Sequence, residues 1–214
     1  MHKDDVIYKT PEGFDLISYM DNIADELKRG LSLFKSSEKK VLVFGSAREK
    51  ENDKYYKMSV ELGKELVSKG YAVVTGGGPG IMEAALKGAY ENHGETYGIN
   101  IILPHEQHNN KYIKNSYLCD HLFTRKVLLI RDMKAYIVMP GGFGTMDELF
   151  EVLTLIATNI QHHVPVILVG KDFWSGLLIW IKEQLLHNHS FINQNEFDML
   201  KLADTVEEAV SFLN

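Results

Sequence analysis

The stretch Met139-Pro140-Gly141-Gly142-Phe143-Gly144-Thr145-Met146-Asp147-Glu148 constrains the fold of this chain more than any other. An apolar run over residues 135–139 enters it, and an apolar-periodic segment over 149–160 leaves it. That pattern spells a strand, a tight glycine turn and the start of a helix. Such junctions in α/β proteins bind anions. The first turn of a helix has unpaired backbone N–H groups at the positive end of its dipole, and glycines let a phosphate approach them. Thr145 adds a hydroxyl donor. Glu148 fits anion recognition poorly, because a carboxylate one turn into the helix repels a phosphate unless it faces another part of the ligand. It therefore points to chemistry, and its alternative reading is an ordinary acidic residue favoured by the dipole.

The same arrangement occurs upstream. Residues 71–75 read as a strand, Gly76-Gly77-Gly78-Pro79-Gly80 as the turn, and 81–86 as a helix, so two glycine turns suggest one shared site. The core begins with a buried strand at 41–44 that ends at Gly45-Ser46, and a helix closing near Gly70 follows it. Further strands are expected at 97–103, 117–123, 135–139, 164–169 and 199–202. Thr124 is placed to cap a helix carrying Arg125 and Lys126, and helices are expected over 173–186 and 206–213. Both tryptophans read as core. Strands alternating with helices in this way define an α/β protein, a Rossmann-like, doubly wound parallel sheet with helices on both faces. Before it, Phe14, Ile17, Met20, Ile23, Ala24 and Leu27 mark one face of an extra N-terminal helix ending near Gly30. The chain divides into a tail and amphipathic helix over 1–38, with residues 1–10 loosely held, and a nucleotide-binding catalytic domain over 39–214. The charge run Ser37-Glu38-Lys39-Lys40 between them reads as solvated linker.

At 214 residues the chain is long enough to bury a sizeable core. A formal net charge of −6 with no Lys/Arg cluster argues against a nucleic-acid partner. No apolar run approaches membrane-spanning length and no secretory leader is evident, so a cytoplasmic location without membrane attachment is expected. The single cysteine, Cys119, reads as a buried structural thiol. His105 and His108 stand three apart in a polar connection after Pro104, which is not the spacing of a zinc-protease helix, and no metal is expected.

Neither glycine turn has dinucleotide spacing, since the sixth position from Gly76 is Ile81. A P-loop and a nucleophile elbow are also missing. What remains is a mononucleotide or sugar-phosphate site across the carboxyl ends of the strands.

The pattern Pro140-Gly141-Gly142-x-Gly144-Thr145-x-x-Glu148, with Arg125-Lys126 before it and Gly76-Gly77-Gly78-x-Gly80-x-Met82 further upstream, resembles the LONELY GUY (LOG) family. Its members are phosphoribohydrolases that cleave nucleoside 5′-monophosphates, cytokinin precursors among them, to free base and ribose 5-phosphate. The resemblance spans roughly residues 40–213 and implies a homodimer that uses no cofactor. By motif position it makes Arg125 and Glu148 the catalytic pair and Gly142, Gly144 and Thr145 the phosphate loop. Gly45, Ser46, Gly76, Gly77, Gly78, Gly80, Lys126 and Gly141 join them as expected substrate contacts. The chain departs from many plant-type members, which have Met-His before the Arg-Lys pair and Cys-Gly-Ser-Ser after the first strand. Here those places read Phe123-Thr124 and Phe44-Gly45-Ser46-Ala47. Cytokinin specificity is therefore not implied, and AMP is the default substrate. The decarboxylase name once given to such proteins gains no support, because nothing identifies a lysine that would hold pyridoxal phosphate. Two other functions share the pattern: a carrier of a phosphorylated ligand such as molybdopterin cofactor, and a nucleotide-sensing module.

Overall fold

The computed structural model describes residues 15–34, 39–101 and 110–213. Seven parallel strands form one sheet: β1 (Lys40–Phe44), β2 (Ala72–Thr75), β3 (Thr96–Ile101), β4 (Asn115–Cys119), β5 (Ala135–Val138), β6 (Val166–Val169) and β7 (Leu200–Ala203). Their spatial order is β4-β3-β2-β1-β5-β6-β7. Side chains alternate across it. Val41, Val43, Val73, Ile137 and Ile167 face one core, while Leu42, Phe44, Val74, Tyr136 and Leu168 face the other. Both faces are covered, which is why the central strands read as continuous apolar runs instead of alternating ones.

Helices α2 (Lys54–Ser68), α3 (Ile81–Glu91) and α8 (Val206–Ser211) cover the first face. The second takes α1 (Leu16–Ser32), α4 (Leu122–Ile130), α5 (Phe143–Ala157) and α6 (Lys171–Trp180). From β1 the chain winds outward through α2 to β2. From β5, the neighbour of β1, it winds the other way through α5 to β6. Right-handed crossovers in opposite directions must lie on opposite faces, so their loops part between β1 and β5 and leave a crevice at the strand C-termini.

Four sequence expectations shift. Lys40 is not linker: it is the first residue of β1, 3 % exposed, with its ammonium 5.4 Å from the Phe34 ring centroid. The fourth strand ends at Cys119, and α4 starts at Leu122, so Thr124 lies inside the first turn and is not the N-cap. This end of α4 is held from α1 instead, by Glu26. Trp174 is fully buried, but Trp180 is 51 % exposed at the end of α6, where the chain continues as π-helix over Ile181–Asn188. A short helix, α7 (Gln194–Phe197), with an Asn193–Glu196 capping box, precedes β7. The expectations for residues 1–10 and for His105 and His108 lie outside the described residues.

Candidate functional site

The crevice between β1 and β5 opens into a cleft of ≈ 820 Å³. Beneath it three backbone segments, after β1, after β5 and at the start of α3, are held together directly. Ser46 N–H donates to the Pro140 carbonyl at 2.9 Å, and Ile81 N–H donates to the Ser46 carbonyl at 2.9 Å. Gly80 is required where α3 meets this turn: its φ is +68°, and a Cβ there would come within 2.3 Å of the Ser46 carbonyl. Gly141 is required for a second close approach, since a Cβ would stand 2.1 Å from the Thr145 hydroxyl. Thr145 itself is only 4 % exposed, tucked beneath that turn at the cleft wall.

Gly142 and Gly144 border open space. Gly142 is the N-cap of α5, whose first N–H groups lack intrahelical acceptors, and no Cβ shields them from a ligand. Gly45 and Ser46 also line the cleft. Sequence reasoning missed Ala47, Arg48, Phe143, Met146 and, as a cleft contact, Met82. Arg48 is the most consequential: it is an exposed arginine at the mouth of the cleft. Its only sequence signal is its place two residues beyond the Gly45-Ser46 turn. Phe143 is 96 % exposed and gives the same mouth an apolar surface.

Arg125 and Glu148 meet in this cleft, one from α4 and one from α5. The Arg125 guanidinium is seated on β3 and on the turn that follows β2: Nε donates to the Ile99 carbonyl at 2.9 Å and Nη2 to the Gly76 carbonyl at 3.2 Å. A Cβ at Gly76 would fall 2.1 Å from Nη2. The first glycine turn thus serves the cleft by seating Arg125. Gly76, Gly77, Gly78 and Gly80 are not among the residues lining it. Gly77, at φ +73°, is covered by Asn100, and Gly78 packs beside Met82.

Glu148 is half-buried, and burial raises its carboxyl from 4.5 to about 7. The nearby Arg125 charge opposes that rise, Asp147 reinforces it, and Lys126 and Glu151 add smaller pulls in opposite directions. A carboxyl poised near neutrality can exchange a proton or carry charge under working conditions. Lys126, expected to contact phosphate, is committed elsewhere: its ammonium lies 2.8 Å from Asp147 and 2.9 Å from Glu151. Burial alone would lower its pKa, but these two carboxylates outweigh burial and hold the ammonium above its ordinary range. Lys126 therefore ties α4 to α5. Cys119 is fully buried and its thiol is pushed up to about 12 by burial, then by Glu26, so it is no nucleophile at neutral pH. Among the described residues no three His, Cys, Asp or Glu converge as metal ligands, and no helix is long and apolar enough to cross a membrane.

Residues 82–213 match the family model described as possible lysine decarboxylase, and residues 33–102 match that of the Sir2- and TIR-associating SLOG family. The chain is 29 % identical over 189 residues to the cytokinin riboside 5′-monophosphate phosphoribohydrolase LOG3 of Arabidopsis thaliana, covering 86 % of each. Among solved structures it is similar to the molybdenum cofactor binding protein of Rippkaea orientalis, with a TM-score of 0.61 and 22 % identity over 83 % of this chain and 96 % of that one. The molybdenum cofactor carrier protein of Chlamydomonas reinhardtii gives 0.60 and 20 % over 81 % and 94 %. At these identities the structural likeness concerns the fold alone.

Proposed function

The chain belongs to the LOG family, whose model carries the possible lysine decarboxylase description, and from that premise we propose that it is a phosphoribohydrolase. It would hydrolyse the N-glycosidic bond of a purine nucleoside 5′-monophosphate, AMP by default, to free base and ribose 5-phosphate. One observation carries this reading: a half-buried carboxylate, Glu148, shares a cleft with the open N-terminus of α5 and with Arg125. A site that only held a phosphate gains nothing from a carboxylate beside it. A site that cleaves a ribosyl bond does.

In the proposed reaction the 5′-phosphate rests on the N–H groups at the start of α5 and meets the Arg48 guanidinium, with Thr145 fixing the turn. The ribose then lies over the first turns of the helix, within reach of Glu148. Breaking the C–N bond places positive charge on the sugar and negative charge on the departing base, by analogy with glycoside hydrolysis. Ionised Glu148 stabilises the first and orients the attacking water. Arg125 favours the ionised form of Glu148 and holds the nucleotide in register; its permanent charge makes it a poor proton donor to the base. Phe143, Met82 and Met146 offer apolar surface to a flat base. The Arabidopsis relative's name supports the reaction type, and the departures at Phe123-Thr124 leave the base preference to experiment.

Incubation with AMP, GMP, CMP and isopentenyl-AMP, followed by chromatography for free base, tests the proposal. Release of adenine or its prenylated form supports it. No release from any of the four, with a phosphorylated ligand co-purifying, would instead make the protein a carrier on the fold it shares with the molybdenum cofactor proteins.

A further inference from the structure

The α4 N-terminus has no cap of its own: His121, the N-cap residue, offers no side-chain bond to it, and the first turn contains no acidic residue. The missing group comes from α1. Glu26, 4 % exposed, puts its carboxylate at that end of α4. Oε1 accepts from Asp120 N–H at 2.8 Å and from His121 N–H at 3.3 Å, and Oε2 lies 2.6 Å from His121 Nδ1. The Thr124 hydroxyl is 2.7 Å from both Glu26 Oε1 and the His121 carbonyl, and its single proton serves one of them at a time. The same segment of α1 is fastened twice more. Tyr117 Oη donates to the Glu26 carbonyl at 2.9 Å, and Gly30 sits so close to Leu128 that a Cβ would overlap it at 2.2 Å.

A buried carboxylate with this many donors is costly unless every bond forms, so it fixes the geometry around it narrowly. Its negative charge also offsets the positive end of the α4 dipole. The residue after Thr124 is Arg125, whose guanidinium reaches its two carbonyls only if the first turn of α4 keeps its rotation and height.

We infer that Glu26 is a positioning residue for Arg125, so that the helix before the α/β core sets where the cleft's catalytic guanidinium stands. This rests on the phosphoribohydrolase reading for its effect on rate, but not for its effect on structure. The groups facing Glu148 are Arg125 and Lys126 from α4 and Asp147 and Glu151 from its own helix. Of these, Arg125 pulls the carboxyl down most strongly. Displacing Arg125 must therefore raise the pH at which Glu148 ionises, whatever the protein does with its ligand.

The test follows the Glu148 side-chain carboxyl by ¹³C NMR across a pH titration in the full chain. Wild type, Glu26→Gln, Thr124→Val and the exposed α1 control Asp25→Asn are compared, with AMP turnover measured in parallel. Glu26→Gln should move the Glu148 midpoint upward by about half a pH unit or more, and Thr124→Val should move it in the same direction. Asp25→Asn should leave it in place. The acid limb of kcat/KM should shift with the midpoint, and kcat at pH 7 should fall about threefold to tenfold. A merely structural brace would lower the melting temperature and leave midpoint and limb where they were; that result in folded Glu26→Gln overturns the inference. If Glu26→Gln does not fold, Thr124→Val decides by the same criterion. If wild type releases no base, the NMR midpoints still decide it, and only the enzymatic reading is lost.

Discussion

Arg125 Nε donates to the Ile99 carbonyl at 2.9 Å, anchoring a residue of α4 to the second half of β3. With Nη2 on Gly76, one edge of the guanidinium is spent on the scaffold and the remaining donors are left for the cleft. Lysine cannot divide its donors this way, because its ammonium is a single point on a flexible stem. Arg125→Lys should therefore keep the charge yet lose turnover by about a hundredfold, a loss expected when a transition-state contact is misplaced. Arg125→Ala should impair both AMP binding and rate. Steady-state kinetics with AMP separate the two, and near-wild-type kcat/KM in the lysine variant would remove geometry from the role of Arg125.

Glu148 supplies a prediction with a definite sign. Its carboxyl titrates near 7 in the folded protein against an ordinary 4.5, with burial as the main cause. Activity that needs the ionised form should fall as the pH drops through about 7. Stability should respond in the opposite sense. Between these two values the folded chain binds more protons than the unfolded one, so stability declines as pH rises across that window. Glu148→Gln removes the buried charge. At pH 8 it should be more stable than wild type by on the order of 2–3 kcal/mol, a gain that shrinks towards pH 5. Its turnover should nevertheless drop by about a hundredfold or more while AMP affinity stays within a few fold. Denaturant melts at the two pH values and a kcat measurement check both halves. Unchanged rate in a folded variant would take Glu148 out of the mechanism.

The phosphate end of the cleft is tested by contrast between substrates. Adenosine, which lacks the phosphate, should be a very poor substrate, because binding energy remote from the scissile bond also orients it. Thr145→Ala should weaken AMP binding by about 1 kcal/mol or somewhat more. Arg48→Ala should weaken it further, by about 1.5–3 kcal/mol, the scale of a hydrogen bond to a charged group. Calorimetric titration with AMP and ribose 5-phosphate measures these losses. Equal turnover of adenosine and AMP would mean the α5 N-terminus does not hold a phosphate.

The sheet was legible because its signal is local and redundant. Each central strand is an apolar run closed by glycine, and the 140–148 turn identifies its own strand and helix. The β1–β5 crevice follows from the order of elements. What the sequence could not show depends on contacts between distant segments. Lys126 looks like a substrate cation until Asp147 and Glu151, on the next helix but one turn apart, are found within ion-pair range. The start of α4 was misplaced because its cap is Glu26, roughly a hundred positions upstream and on another helix. Nor could periodicity separate Trp174 from Trp180, since both belong to one apolar helix and only packing exposes the second. Arg48 was overlooked because a lone arginine after a strand has no pattern to mark it.

Self-association is the last expectation, and α5 carries the argument for it. Leu149, Val152 and Ile156 are buried against the sheet, yet Phe150 is 38 % exposed; the helix ends at Ala157, short of the 149–160 segment expected, and leaves Ile160 in the following turn, 74 % exposed. Leu122, Phe123 and Val127 on α4 are also half open, and Lys126 binds the two helices into one surface through Asp147 and Glu151. This much exposed apolar side chain on two joined helices is more than packing on one sheet requires. A second copy of the chain meeting it about a two-fold axis is the simplest cover, as closed symmetry is the usual solution for such a face. We therefore expect light scattering at micromolar concentration to give twice the 24.3 kDa chain mass. Phe150→Glu tests the location. Phe150 lines a small surface groove with Leu153, Ile181, Leu185 and Met199 and is not a buried core side chain, so a charge there should leave the fold intact while opposing burial between copies. The variant should return to the monomer mass with an unchanged circular dichroism spectrum. A wild-type chain that scatters as a monomer would reject the dimer, and a Phe150→Glu variant that remains dimeric would move the interface off α5.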